Sequence, residues 1–189
     1  MAHNLMLCWF GMMCIMLKKR AYVRKVEKLR VVGLDPGLAN LGLGAVEQEF
    51  KTVRHLGDKL VRTTPKTPQT ERLKIIYNET KGFLLEHHPD ALSIEGQYFH
   101  QQREVAFKVG QAVGACLVAA AELDIPVFEY GPMQVKQTLV GTGRANKAQV
   151  AYMVRALLSL RSTPESNHVA DALGLALTHL SMHKIKSLV

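Results

Sequence analysis

Apolar and polar positions along the chain follow two periods, and the changes between them mark out its elements. Leu29–Leu34 is a short, mostly apolar run of the kind that forms a buried strand, and Asp35-Pro36-Gly37 ends it with turn chemistry. Leu41–Val46 and Lys51–Val61 predict two more strands in an antiparallel meander, with turns near Gln48-Glu49 and Gly57-Asp58. Thr70–His87 then switches to helical spacing (Leu73, Ile76, Tyr77, Phe83, Leu84), introduced by Thr67-Pro68. Ala91–Ile94 is a strand leading into Glu95. Gln102–Leu123 predicts a long Ala-rich helix whose Gly110 and Gly114 permit close helix contact. Pro126–Tyr130 is a last strand, opening on Pro as strands can. Helices near Pro132–Leu139, Asn146–Leu158 and Asn167–His183 complete the chain. The order βββαβαβ followed by helices predicts an α/β fold: a mixed five-stranded sheet with helices on both faces.

Two acidic residues interrupt this pattern at strand ends, Asp35 and Glu95, and a third, Asp171, stands near the start of the last helix. Acidic side chains are depleted in strands and scarce in cores, so each needs a reason. Asp-Pro-Gly is also an ordinary turn opener, and Asp171 could simply compensate the dipole of a helix capped by Ser166 or Asn167. Glu95 is harder to account for in that way, because a carboxylate closing a buried strand needs a partner. His168 and Asp171 are three apart and share a helix face. Should the two strands be neighbours and the last helix cross them, the acidic groups converge. Converged carboxylates repel unless divalent cations lie between them, which points to Mg²⁺ or Mn²⁺ chemistry. Ligands of such sheets sit outside the carboxyl ends of the strands, where Asp35 and Glu95 are placed.

Composition narrows the picture without deciding it. With 189 residues, 48% of them apolar, the chain is long enough for one well-cored domain. The net charge is +8, of which residues 1–28 carry +5, leaving a mildly basic body compatible with a polyanionic partner. Cys8, Cys14 and Cys116 form no CxxC pair and no zinc spacing, which suits a reducing cytoplasm, with Cys116 as a small core residue. Leu5–Leu17 is a 13-residue apolar run followed by Lys18-Lys19-Arg20. It is shorter than the roughly 20 residues of a spanning helix. Its charge follows the apolar stretch, opposite to a secretory signal. Residues 1–28 are therefore expected to be a dispensable extension or an upstream start, with a membrane-surface or partner-binding tail as the lesser reading. The fold proper is expected over 29–189.

Two segments have the chemistry of nucleic-acid contact. Val140–Lys147 joins two helices and holds Gly141, Gly143, Arg144 and Lys147, with Lys136 one turn earlier. Backbone N–H groups freed by Gly, beside cations, suit phosphates, although the segment lacks the ending of a Walker loop. After Glu95 come Tyr98, Phe99 and Arg103 on a polar loop, where aromatics could stack on bases or simply cover the core edge.

Several segments together resemble the RuvC family, the bacterial Holliday-junction resolvases of the RNase H-like superfamily. They are Val-Gly-Leu-Asp-Pro-Gly at 32–37, Arg-Leu-Lys-Ile-Ile-Tyr at 72–77 and Ser-Ile-Glu-Gly-Gln-Tyr-Phe at 93–99. Lys-Val-Gly-Gln-Ala-Val-Gly at 108–114, Pro-Val-Phe-Glu-Tyr at 126–130, Gln-Val-Lys-Gln-Thr-Leu-Val-Gly at 134–141 and Ala-Asp-Ala-Leu-Gly-Leu-Ala-Leu-Thr-His at 170–179 follow in order. The resemblance implies an RNase H-like fold and a catalytic and metal-binding set of Asp35, Glu95, His168 and Asp171. His168 stands where the family usually has a further Asp, and imidazole favours Mn²⁺ over Mg²⁺. It also implies two divalent ions per subunit, a homodimer cutting four-way junction DNA, and action beside the RuvA–RuvB branch-migration complex. Tyr98 or Phe99 would probe the junction, and Lys136 and Lys147 match the family's functional lysines. The rivals are a junction-binding protein without cleavage, an RNase H-like nuclease with another substrate, and an actin-like phosphotransferase. The last lacks room for its second lobe.

Overall fold

A computed structural model describes residues 28–96, 103–162, 164 and 166–186, without the side chains of Arg103 and 184–186. Five strands form one sheet: β1 (Lys28–Asp35), β2 (Asn40–Glu49), β3 (Thr52–Arg62), β4 (Ala91–Glu95) and β5 (Val127–Tyr130). Their spatial order is β3-β2-β1-β4-β5. The first three are antiparallel, whereas β4 runs parallel to β1 and β5 parallel to β4. Among the described residues there are five helices: α1 (Gln69–His87), α2 (Arg103–Glu122), α3 (Pro132–Val140), α4 (Lys147–Leu157) and α5 (Asn167–Lys186). The expected mixed sheet with helices on both faces is what the chain forms.

Alternation along β1 sorts its side chains between two cores. Val32 and Leu34 join Ile76, Phe83 and Leu84 of α1 and Ala112, Cys116 and Ala120 of α2. Leu29 and Val31 face the other way, into a core with Leu139 of α3, Val150 and Val154 of α4, and Val169, Leu173 and Leu177 of α5. By the same period of two, Gly33 and Asp35 belong to the α5 face. Burial lifts the Cys116 thiol to about 11, in keeping with an inert core residue.

Three glycines decide how closely α5 lies on the sheet. A Cβ on Gly33 would stand 1.8 Å from the Ala172 carbonyl oxygen, and one on Gly42 2.1 Å from the His168 carbonyl oxygen. On Gly44 it would meet Leu173 Cδ2 at 2.6 Å. The helix answers with Ala172 and Ala176, both fully buried, so small residues on each side let backbone approach backbone. The expectation that Gly110 and Gly114 serve close packing is corrected within the chain. An added Cβ at either meets nothing within 4 Å.

Two turn expectations also shift. The β2–β3 turn is at Phe50-Lys51, two residues beyond Gln48-Glu49, with Phe50 in the left-handed region at φ 53°. No turn forms at Gly57-Asp58. There β3 continues, and the pairing slips so that Val46 faces His55 while Ala45 faces Gly57, leaving Leu56 as a bulge. A bulge absorbs the turn-like residues, and Asp58 meets His55 Nε2 at 2.8 Å. The first strand begins at Lys28, whose Nζ lies 3.0 Å from the buried Glu47 carboxylate, one residue earlier than expected. Residues 1–27 lie outside the described residues.

Candidate active site

Asp35 is the last residue of β1 and Glu95 the last of β4. The parallel register pairs Leu34 with Ile94, so the two carboxylates leave adjacent strands at the same level. Asp35 is opposite Gly42 in β2, and the missing Cβ there admits the His168 backbone. The start of α5 is fixed by Ser166, whose Oγ accepts the Val169 N–H at 3.2 Å, which settles the cap between the two residues expected for it. One turn in from that cap, His168 and Asp171 look onto the strand ends. His168 Nδ1 lies 2.6 Å from Asp35 Oδ2, with the Asp35 side chain 13% exposed.

These four residues line one cleft of about 540 Å³, together with Pro36, Gly37, Val105, Val109, Pro132, Val135, Lys136, Lys147, Val150, Asn167 and Leu175. Burial raises the pKa of all three acids. For Asp35 the His168 contact opposes that rise and Asp171 adds to it. Glu95 is pushed up further by Asp35 and Asp171, and Lys147 pulls it down. Lys147 and His168 do the same for Asp171. The carboxylates therefore repel one another across a partly dehydrated space, and a divalent cation would relieve that repulsion. By its chemistry, a set of three carboxylates and one imidazole fits such an ion. Among the described residues no three Asp, Glu, His or Cys side chains are gathered closely enough to hold one ion. Asp35 here gives an oxygen to His168.

The remaining expected contacts separate into three groups. Lys136 and Lys147 reach the cleft. Arg144 is exposed on the α3–α4 loop and does not line it. Part of the loop's backbone is taken up within the protein. Gly141 N–H is bonded to the Gln137 carbonyl, Arg144 N–H to Thr142 Oγ1, Ala145 N–H to the Thr142 carbonyl and Asn146 N–H to Gln149 Oε1. Two of these bonds are caps, Gly141 at φ 84° closing α3 and Asn146 opening α4, and the other two turn the loop on Thr142. Tyr98 and Phe99 lie outside the described residues, as does the Arg103 side chain. The apolar wall of Val105, Val109, Pro132 and Leu175 carried no signal in sequence, since those residues read as helix core.

The model of the crossover junction endodeoxyribonuclease RuvC family matches residues 31–179, most of the chain. The chain belongs to the RuvC family. Its RuvC relative from Thermus thermophilus, a crossover junction endodeoxyribonuclease, is 48% identical over 152 residues, covering 79% of this chain and 92% of the relative. The solved structure of T. thermophilus RuvC in complex with Holliday junction substrate superposes with a TM-score of 0.81 at 44% identity. That match covers 84% of this chain and 97% of the other. A yeast mitochondrial Holliday junction resolvase matches at TM-score 0.60 and 12% identity over 87% of this chain and 86% of its own, a likeness of fold. The α/β sheet is thus the RNase H-like fold of RuvC, and the enzyme class is that of a DNA-cleaving hydrolase. RuvC membership carries a dependence on divalent metal.

Proposed function

We propose that this RuvC-family enzyme resolves four-way DNA junctions by paired, symmetric nicks that leave 5′-phosphate and 3′-hydroxyl ends. The observation that carries the reading is the meeting of Asp35, Glu95, His168 and Asp171 with Lys136 and Lys147 in one cleft at the carboxyl edge of the sheet. The solved relative with a junction bound supports the substrate. Asp35, Glu95, His168 and Asp171 would hold two divalent ions, Mg²⁺ or Mn²⁺. Such ions supply an acidified water and charge neutralisation at the scissile phosphate. Lys136 and Lys147 pair with the flanking phosphates and fix the strand in register. The apolar wall of Val105, Val109 and Leu175 limits bulk water, which strengthens each charge interaction inside. Tyr98 or Phe99 would probe the junction from the loop that follows Glu95, with Arg103 and Arg144 adding contacts to the arms.

A four-way junction presents two strands of like polarity, so paired cutting calls for two sites related by a two-fold axis. A homodimer through α2 supplies them. Phe107 and Val118 on that helix are 67% and 53% exposed, and Gly110 and Gly114 lie open between them on the same face. By length and composition α2 could also cross a membrane. Its Ala112, Cys116 and Ala120 instead pack into the core, and the open stripe suits a second copy of the chain. The cytoplasm, beside the RuvA–RuvB branch-migration complex, is the setting this activity requires. Residues 28–189 would act as the nuclease, since Lys28 already belongs to β1, with residues 1–27 dispensable.

The test is cleavage of a mobile four-way junction against linear duplex in Mg²⁺ and in Mn²⁺, with Asp35→Asn alongside. Religatable nicks confined to the junction and absent in Asp35→Asn, with junction affinity kept, are the expected result. Binding without cleavage in either metal would make the protein a junction-binding factor. Equal cutting of another substrate would make it a different nuclease.

A further inference from the structure

The turn between Asp35 and β2 is tied down from outside. Leu38 buries its side chain in the core, at 7% exposure, and its carbonyl accepts two hydrogen bonds. One comes from Thr63 Oγ1 at 2.5 Å and the other from Arg72 Nη2 at 3.1 Å. Arg72 Nε donates to the same Thr63 hydroxyl at 2.8 Å, and Thr63 N–H donates to the Ala39 carbonyl at 2.9 Å. The hydroxyl therefore gives its proton to Leu38 and accepts from Arg72, closing a triangle. Its three corners come from the turn, the end of β3 and the first turns of α1.

We propose that Arg72 and Thr63 are positioning residues for cleavage, a clasp that holds the turn carrying Asp35. The inference rests on the reading of Asp35 as a reacting-centre carboxylate. Asp35 ends β1, and the next two residues, Pro36 and Gly37, line the cleft. This turn is tight, since a Cβ on Gly37 would stand 2.2 Å from the Asn40 carbonyl oxygen. It is anchored on one side by the Asp35–Gly42 pair of the sheet and on the other by the clasp at Leu38 and Ala39. Reacting carboxylates have to be held within a fraction of an ångström, and sites on turns depend on such outer support. Arg suits the role where Lys does not. Its Nε and Nη2 form a rigid fork that serves hydroxyl and carbonyl together, whereas an ammonium is a single flexible point. A direct phosphate contact is the competing role for Arg72, but its donors are turned onto protein acceptors and it does not line the cleft.

The experiment measures single-turnover cleavage of a four-way junction at saturating enzyme, the junction Kd and the melting temperature. The variants are Arg72→Lys, Thr63→Val, Thr63→Ser and Asp35→Asn in the full chain. Arg72→Lys and Thr63→Val are expected to slow cleavage roughly 10- to 100-fold with Kd within about twofold, because ångström misplacement of a reacting group acts on rate. Thr63→Ser, which keeps the hydroxyl, is expected to restore the rate. A wild-type rate in Arg72→Lys with weakened binding overturns the clasp and makes Arg72 a phosphate contact. So does a rate loss that Thr63→Ser shares and that follows melting temperature. Cleavage surviving in Asp35→Asn would refute the reading of Asp35 instead, and is told apart by that variant alone.

Discussion

Gly33→Ala is the substitution through which α5 and the acidic strand ends can be separated with a single carbon. The new Cβ would lie 1.8 Å from the Ala172 carbonyl oxygen and 2.8 Å from the Ala176 nitrogen, where ordinary contact begins at 3.4 Å. All the close atoms are helix backbone, so no rotamer change relieves the clash. The helix must lift off the strand by something on the order of 1–2 Å, an overpacking that costs about 1–3 kcal/mol or more. In a domain of this size each kcal/mol lowers Tm by roughly 2–4 °C. His168 and Asp171 ride on that helix, and the 2.6 Å contact of His168 with Asp35 cannot survive the lift. A displacement near 1 Å costs about 10²-fold in rate. Junction cleavage at saturating enzyme, together with Tm, is the assay, and Gly82→Ala is the control. That glycine is exposed on α1 with nothing within 4 Å of an added Cβ, and replacing it should gain helix stability of about 1 kcal/mol. Wild-type cleavage and Tm in Gly33→Ala would refute the account of how α5 is seated.

Three further outcomes are expected. Glu95 has a raised pKa in the folded, metal-free protein, chiefly through burial, so the native state holds its proton to higher pH than the unfolded chain. Stability present below the ordinary value of 4.5 is lost as pH rises through the folded pKa, so Glu95→Gln should gain on wild type as pH rises through that interval. Urea melts in chelator at pH 4 and pH 7 check this, and an equal difference at both would sink it. His168→Asp should move the metal preference from Mn²⁺ toward Mg²⁺, read as the ratio of cleavage rates in the two ions, and an unchanged ratio would make His168 a bystander. Phe107→Glu should shift the protein to monomer by light scattering and turn paired cuts into single nicks. A dimer that persists would place the interface elsewhere than α2.

Much of the fold was legible because its signals are local. The runs ending at Asp35 and Glu95, the helical spacing of Thr70–His87 and the cap before His168 each depend on a few neighbouring residues. Gly57-Asp58 misled because the same residue types serve a turn and a bulge, and pairing with Ala45 and Val46 decided between them. The glycines misled for a related reason. Gly110 and Gly114 read as a stripe for helix contact, yet within the chain the close approaches belong to Gly33, Gly42 and Gly44, whose partners on α5 are more than 120 residues away in sequence.

By itself the sequence determined which side chains are out of place in a buried strand, and so which carboxylates needed a reason. It also determined the family, through several segments in fixed order. Only the tertiary structure decided that Asp35 meets His168, that Lys136 and Lys147 share the cleft while Arg144 does not, and that four N–H groups of the Val140–Lys147 loop bond within the protein. Those outcomes depend on how a helix is seated on a sheet. That seating is set by sterics between backbones, which a residue's identity permits but does not announce.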